Sequence, residues 1–174
     1  MSTRGPFDPI IEETEVLLAE SAQFLAAGPH FVVAHECHEP GTICSAGEAV
    51  AGVWFRYRGR DYQVILSLTL LLVFDHLARR RWFAQTATQI TRAMKSDPFY
   101  RFHGANGRSH ESQTRRISRS AVKTYVQRIR MAIQKAFDEA GVNLDARRVL
   151  ISTPTTMNET GYRLVATAEW IHID

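Results

Sequence analysis

At 174 residues with 45% hydrophobic side chains, the chain is long enough to bury a full core as one domain with embellishments. Its longest apolar run, residues 64–74, is broken by Ser67 and Thr69 and is too short to span a bilayer, and the first residues lack a signal-peptide pattern; a cytoplasmic protein with no membrane partner is expected. The net charge of +3 hides an uneven spread: residues 1–50 carry one Arg against eight acids, whereas residues 100–135 carry nine bases against Glu111 alone, which points to a polyanionic partner.

In chain order, Asp8-Pro9 has the form of an N-cap followed by Pro at the first helical position, and Glu12, Glu13 and Glu15 suit the positive end of a helix dipole. A helix is predicted from residue 9 to about 27, stopped by Gly28-Pro29. Ile10, Leu17 and Phe24 give it an apolar face that packs on the core or pairs with a second copy, so a homodimer is expected. Signals then turn extended. Phe31-Val32-Val33 is β-rich, and residues 50–57 and 61–66 flank Arg58-Gly59-Arg60 as a hairpin. Two cysteines, Cys37 and Cys44, do not make a disulfide framework. His35, Cys37, His38 and Cys44 offer zinc-ligand chemistry, but without paired short-spacing cysteines they read instead as small core residues and surface histidines, and neither metal nor cofactor is expected.

Ser67 is placed to cap a helix from residue 68 to about 80, with Leu70, Leu71, Phe74 and Leu77 on its buried side and Arg79, Arg80 and Arg81 complementing its dipole. Trp82-Phe83-Ala84 reads as a short strand, after which Thr86 caps a helix over residues 87–95. Residues 101–116 lack periodicity and read as a long loop. The helix predicted over residues 118–140 has two faces. Val122, Val126, Ile129 and Ile133 form an apolar stripe flanked by Tyr125, Ala132, Ala136 and Phe137. Ser120, Thr124 and Gln127 project away from it, with Lys123 and Arg130 on one shoulder and Arg128 on the other, whereas Gln134, Asp138 and Glu139 follow beyond Met131. Gly141 is placed to end the helix; residues 148–153 and 161–170 read as two strands, so the chain closes in a hairpin.

This order of strands, helix, short strand, helix, loop, helix and hairpin resembles the winged helix-turn-helix effector domain of OmpR/PhoB-type response regulators over residues 53–166. The resemblance is carried by Leu66-Ser67-Leu68-Thr69, by the run Val122-Lys123-Thr124-Tyr125-Val126-Gln127-Arg128-Ile129-Arg130, and by Ile151-Ser152-Thr153 followed by Gly161-Tyr162-Arg163-Leu164. It implies an α+β fold with an N-terminal antiparallel sheet, a C-terminal β-hairpin wing and an extra N-terminal helix. Residues 1–50 would then be an extension, packed on the domain or dimerising, and residues 51–174 the DNA-binding domain. It further implies a transcriptional regulator specific for double-stranded DNA. The third helix would lie in the major groove, residues 149–166 on the flanking backbone or minor groove, and the loop before the third helix would face RNA polymerase. Carried over by position, Ser120, Lys123, Thr124 and Gln127 read bases. Arg115, Arg116, Arg119, Arg128 and Arg130, with Arg148 and Arg163 beside the wing, hold phosphates. The chain departs from the family in three ways: residues 1–50 are too few for a receiver domain, the loop before the third helix is longer and more basic, and the wing tip carries Glu159 and no base.

Catalysis is not expected, because there is no Gly-rich phosphate loop, nucleophile elbow or helical His-Glu-x-x-His. Asp75 and His76 are adjacent on a helix, where side chains diverge by about 100°. Two other readings remain: a winged-helix module for protein contacts, and a regulator sensing metal or oxidation through its cysteines and histidines.

Overall fold

The computed structural model describes residues 28–36, 49–96, 118–156 and 158–173. The helix predicted over residues 9–27, the loop at 101–116, and Cys37, His38, Cys44, Arg115 and Arg116 lie outside the described residues.

The first elements follow from local signals. Alternation in β1 (His30–Glu36) and β2 (Ala49–Tyr57) turns Phe31, Val33, Val53 and Phe55 to one face, where all four are completely buried. Arg58 and Gly59 both take left-handed φ values (51° and 70°), the conformation a two-residue loop needs to match strand twist, so Tyr57 pairs with Arg60 and β3 (Arg60–Val64) folds back on β2. The predicted hairpin is present.

Each helix is bounded by its own sequence. In α1 (Leu68–Arg79), Ser67 holds the N-cap position with extended backbone, but its hydroxyl makes no capping bond; its carbonyl accepts from the Leu71 N–H at 2.8 Å. Ahead of α2 (Ala87–Ser96), Thr86 and Gln89 form a reciprocal capping box: the Gln89 N–H donates to Thr86 Oγ1 (3.2 Å) and the Thr86 N–H to Gln89 Oε1 (2.8 Å). In α3 (Arg119–Ala140), Ser118 Oγ accepts from the Ala121 N–H at 3.2 Å. Its far end is closed by Gly141 (φ 70°): the Gly141 N–H reaches Asp138 O and the Val142 N–H reaches Phe137 O, the paired bonds of a Schellman motif.

Two expectations at strand level are corrected. Trp82-Phe83-Ala84 is not a strand: Trp82 has φ 73° and donates its N–H to Leu164 O, and Phe83 is exposed. The paired residues are those of β4 (Gln85–Thr86), which meet Tyr162 and Gly161. The β propensity of the aromatics points to a strand, but pairing begins only beyond them, at Gln85. Nor does the chain end in the hairpin. The strand predicted over residues 161–170 is two strands, β6 (Thr160–Leu164) and β7 (Thr167–Ile173). β6 pairs with β5 (Leu150–Pro154) and β4 in a three-stranded antiparallel sheet, whereas β7 pairs parallel with β1 as the edge of a four-stranded sheet ordered β3-β2-β1-β7. At the switch the Val165 N–H donates to Val149 O (2.7 Å) and the Thr167 N–H to Pro29 O (2.9 Å). Gly28 (φ 73°) fits beneath it, since a Cβ there would stand 2.7 Å from Val165 O.

Among the described residues, one core joins both sheets and the helices α1, α2 and α3. Phe74 of α1 meets Phe31 edge-on at 5.2 Å, and Phe137 of α3 meets Phe55 at 4.8 Å. The protein is a mixed α+β fold, and β1, assigned from sequence to an N-terminal extension, lies between β2 and β7 inside the four-stranded sheet. No helix among the described residues is long and apolar enough to cross a membrane.

Candidate nucleic-acid interface

The predicted stripe on α3 is sunk in the core: Val122, Val126, Ile129, Ile133 and Phe137 are each at most 1% exposed. A helix so fixed must turn its opposite side outward. Ser120, Lys123, Thr124, Gln127 and Arg128 are all exposed on that side. Ser120 Oγ lies 2.8 Å from Ser118 Oγ at the cap. Lys123, Thr124, Gln127 and Arg128 make no side-chain hydrogen bond or ion pair with another described residue. Met131 continues the same face and is 72% exposed.

The structure brings together fewer of the expected phosphate-binding arginines than the sequence suggested. Arg119 and Arg128 are exposed. Arg130 is half-buried and already used: its Nε donates to Leu150 O and its Nη2 to Ser152 Oγ, both at 2.8 Å, so it ties α3 to β5, and burial lowers its pKa below the ordinary arginine value. Arg163 on β6 is half-buried, with an enclosed Nε that has no hydrogen-bond partner. Arg148 is exposed but stands in a 3-10 turn, Ala146–Arg148, rather than in the strand predicted from residue 148.

The hairpin tip is occupied as well. Glu159 accepts from the Thr88 N–H (3.0 Å) and from the Thr88 hydroxyl (2.9 Å), which places a carboxylate at the positive end of α2, a helix with no acid in its own first turn. Desolvation pushes the Glu159 pKa up, but the Thr88 donors and the nearby Arg119 charge outweigh it and hold the carboxyl below its ordinary range. The hairpin is thereby pinned to α2.

Sequence reasoning missed the basic side of α2. Thr88, Thr91, Arg92 and Lys95 recur at helical spacing and, with Arg119 from α3, line an open groove of about 280 Å³. Arg92 and Lys95 are exposed opposite the buried Ala87, Ile90 and Met94, so the helical projection already separated them from the core. Their meeting with Arg119 is what the sequence could not show.

His35, the described member of the expected metal cluster, is buried (4% exposed) against α1. Its Nε2 lies 3.4 Å from Asp75 Oδ1, outside hydrogen-bond geometry, and its ring is 6.4 Å from that of His172. Asp75 also accepts from Trp170 Nε1 and from Arg79 Nε, both at 2.8 Å. Burial raises the Asp75 pKa, yet His35, Arg79 and Trp170 outweigh it and hold the carboxyl below its ordinary range. Among the described residues no group of three His, Cys, Asp or Glu side chains is arranged to hold a metal ion. His76 turns elsewhere, its Nε2 meeting Gln85 Oε1 at 3.3 Å, so Asp75 and His76 diverge as helical neighbours must.

No family model matches the chain, and no curated protein or solved structure matches it.

Proposed function

We propose that the protein is a transcriptional regulator that binds specific sequences of double-stranded DNA through a winged helix-turn-helix. In this reading α2 and α3 are the helix-turn-helix, β5 and β6 the wing, and α3 lies in the major groove. A groove about 12 Å wide admits an α-helix, whose diameter with side chains is about 10–12 Å. The observation that carries the reading is the division of α3. One side is wholly committed to the core, and the other presents an ammonium, an amide, a hydroxyl and a guanidinium with no partner in the described chain. Lys123 donates to guanine O6 and N7, and Gln127 bonds adenine N6 and N7 bidentately. Ser120 and Thr124 contact base edges, and Arg119 and Arg128 hold flanking phosphates. In this reading the wing, whose Glu159 is bonded to Thr88 of α2, lies on the flanking backbone or minor groove. Binding as a homodimer in the cytoplasm fits this reading; a sedimenting monomer both on and off DNA would remove the dimer.

Fluorescence anisotropy with mixed genomic duplex across a salt series tests the central claim. Affinity should fall linearly in log–log form as salt rises, by counterion release. Absence of binding at low salt, or binding indifferent to salt, overturns it. A rival reading, a winged-helix module for protein contacts, is favoured by the exposed pair Trp82 (44%) and Phe83 (71%), and salt-indifferent capture of a protein would support that instead.

A further inference from the structure

We infer that the outer face of the four-stranded sheet seats the chain's own residues 9–27, the segment whose sequence predicts an amphipathic helix. The described helices hold the other face: α1 meets Phe31 through Phe74 and Trp170 through Asp75, and α3 meets Phe55 through Phe137. Period two turns Val32 and Ala34 of β1 away from them, together with their cross-strand partners Trp54 and Gly52 of β2 and Ile171 of β7. Val32 is nevertheless 1% exposed and Ala34 0%, although neither belongs to the core that the described helices build. An uncovered sheet face stays wet, and strands paired in parallel, as β1 and β7 are, are ordinarily buried on both faces. The Trp54 ring leans over Gly52, where a Cβ would stand 2.7 Å from it, but is itself only half-buried and closes part of the face. A further cover is required over β1.

Several features name residues 9–27 as that cover. The burial is that of a single chain, so a second copy is not needed to account for it. The segment brings the apolar surface that the face lacks, with Ile10, Leu17 and Phe24 in line and Val16, Leu18 and Leu25 beside them, whereas residues 37–48 and 97–117 are mostly polar. Its attachment also fits. Gly28 has φ 73°, the left-handed conformation that closes a helix, and Pro29 alone separates it from β1. A helix over residues 9–27 is about 28 Å long at roughly 1.5 Å per residue, and β1 is about 23 Å long at roughly 3.3 Å per residue, so a helix turned back at Gly28 spans the strand. The charges at the His30 end are answered within the sheet, since Arg56 bonds both Asp61 and Glu169, and the middle is left apolar. Ile171 and Ile173 keep 38% and 36% exposure, so the cover follows β1 rather than the β7 edge.

The test places a spin label at Ala19→Cys in the full chain with Cys37→Ser and Cys44→Ser; the helical projection sets Ala19 opposite Leu17. The label should broaden the methyl resonances of Val32, Ala34 and Ile171 and spare that of Met131 on the outward side of α3. Broadening of Met131 instead, or of none of these, would overturn the assignment. A spin-labelled chain mixed with an isotope-labelled chain that lacks the label should give no broadening. Broadening in that mixture would make the occupant a second copy and overturn it as well. Leu17→Asp combined with Phe24→Asp should shift the Val32 and Ala34 methyls and the Trp54 indole N–H, lower the melting temperature by several degrees, and leave the Ile129 methyls in place. Unchanged Val32 and Trp54 resonances in that variant would overturn it too. If the double variant unfolds, the spin-label pair still decides. Each result reads the same whether or not α3 binds DNA.

Discussion

Truncating Ile129 to Ala and Gln127 to Ala, two positions apart on α3, should separate folding from recognition. Ile129 is completely buried between α3 and the rest of the core, so Ile129→Ala removes buried carbon and leaves a cavity that close-packed neighbours fill only in part. The expected cost is about 2–5 kcal/mol. At roughly 2–4 °C per kcal/mol for a chain of this size, melting should fall by about 4–20 °C. Gln127 is exposed with no partner among the described residues, so Gln127→Ala should leave stability within about 0.5 kcal/mol of wild type. It should instead lose ~1–3 kcal/mol of discrimination at one base pair. Thermal melts and anisotropy on matched and single-substituted duplexes read the two effects. Equal stability losses for the two variants would refute the orientation of α3, and equal affinity losses on specific and random DNA would refute base reading by Gln127.

Three further outcomes follow from the geometry. Arg128→Ala should weaken every duplex alike and lower the salt slope by about 1; a loss confined to one sequence would make Arg128 a base contact instead. Asp75 has its folded pKa depressed, so its contribution is present above the unfolded value of about 3.9 and is lost as pH falls through the folded value. In urea melts the stability gap between wild type and Asp75→Asn should hold from pH 7 to about pH 5 and close below about pH 4; a gap that persists in acid would contradict the cause given for the shift. Gly28→Ala should cost more than about 2 kcal/mol, because the residue sits at φ 73° and the new methyl would meet Val165 O at 2.7 Å. A neutral result in chemical denaturation would mean that the approach of the chain at the sheet switch is not tight.

Much of the candidate site was legible because it depends on one helix. The 3.6-residue period separates Val122, Val126, Ile129 and Ile133 from Ser120, Thr124 and Gln127 without reference to anything outside residues 118–140. Thr86, Ser118 and Gly141 announce helix ends because capping needs only a few neighbouring residues, and Arg58-Gly59 announces its turn for the same reason. Ser67 shows the limit: the residue type marked the boundary, but its hydroxyl does not perform the capping.

What the tertiary structure alone decided concerns partners distant in sequence. Residues 162, 164, 166, 168 and 170 all face the core, so the alternation passes unbroken through the point where the chain leaves β6 for β7, and period two cannot report a change of sheet. Arg128 and Arg130 both look like free cations on the shoulders of α3, yet only the position of β5 turns Arg130 into a tie to Leu150 and Ser152. The same holds for the outward side of α3. Its sequence determined which side chains would be turned out, because the core claims the others; the packing of α2 and the hairpin decided which cations gather around it. Arg92 and Lys95 join Arg119 across residues 97–117, a separation over which local periodicity carries no information.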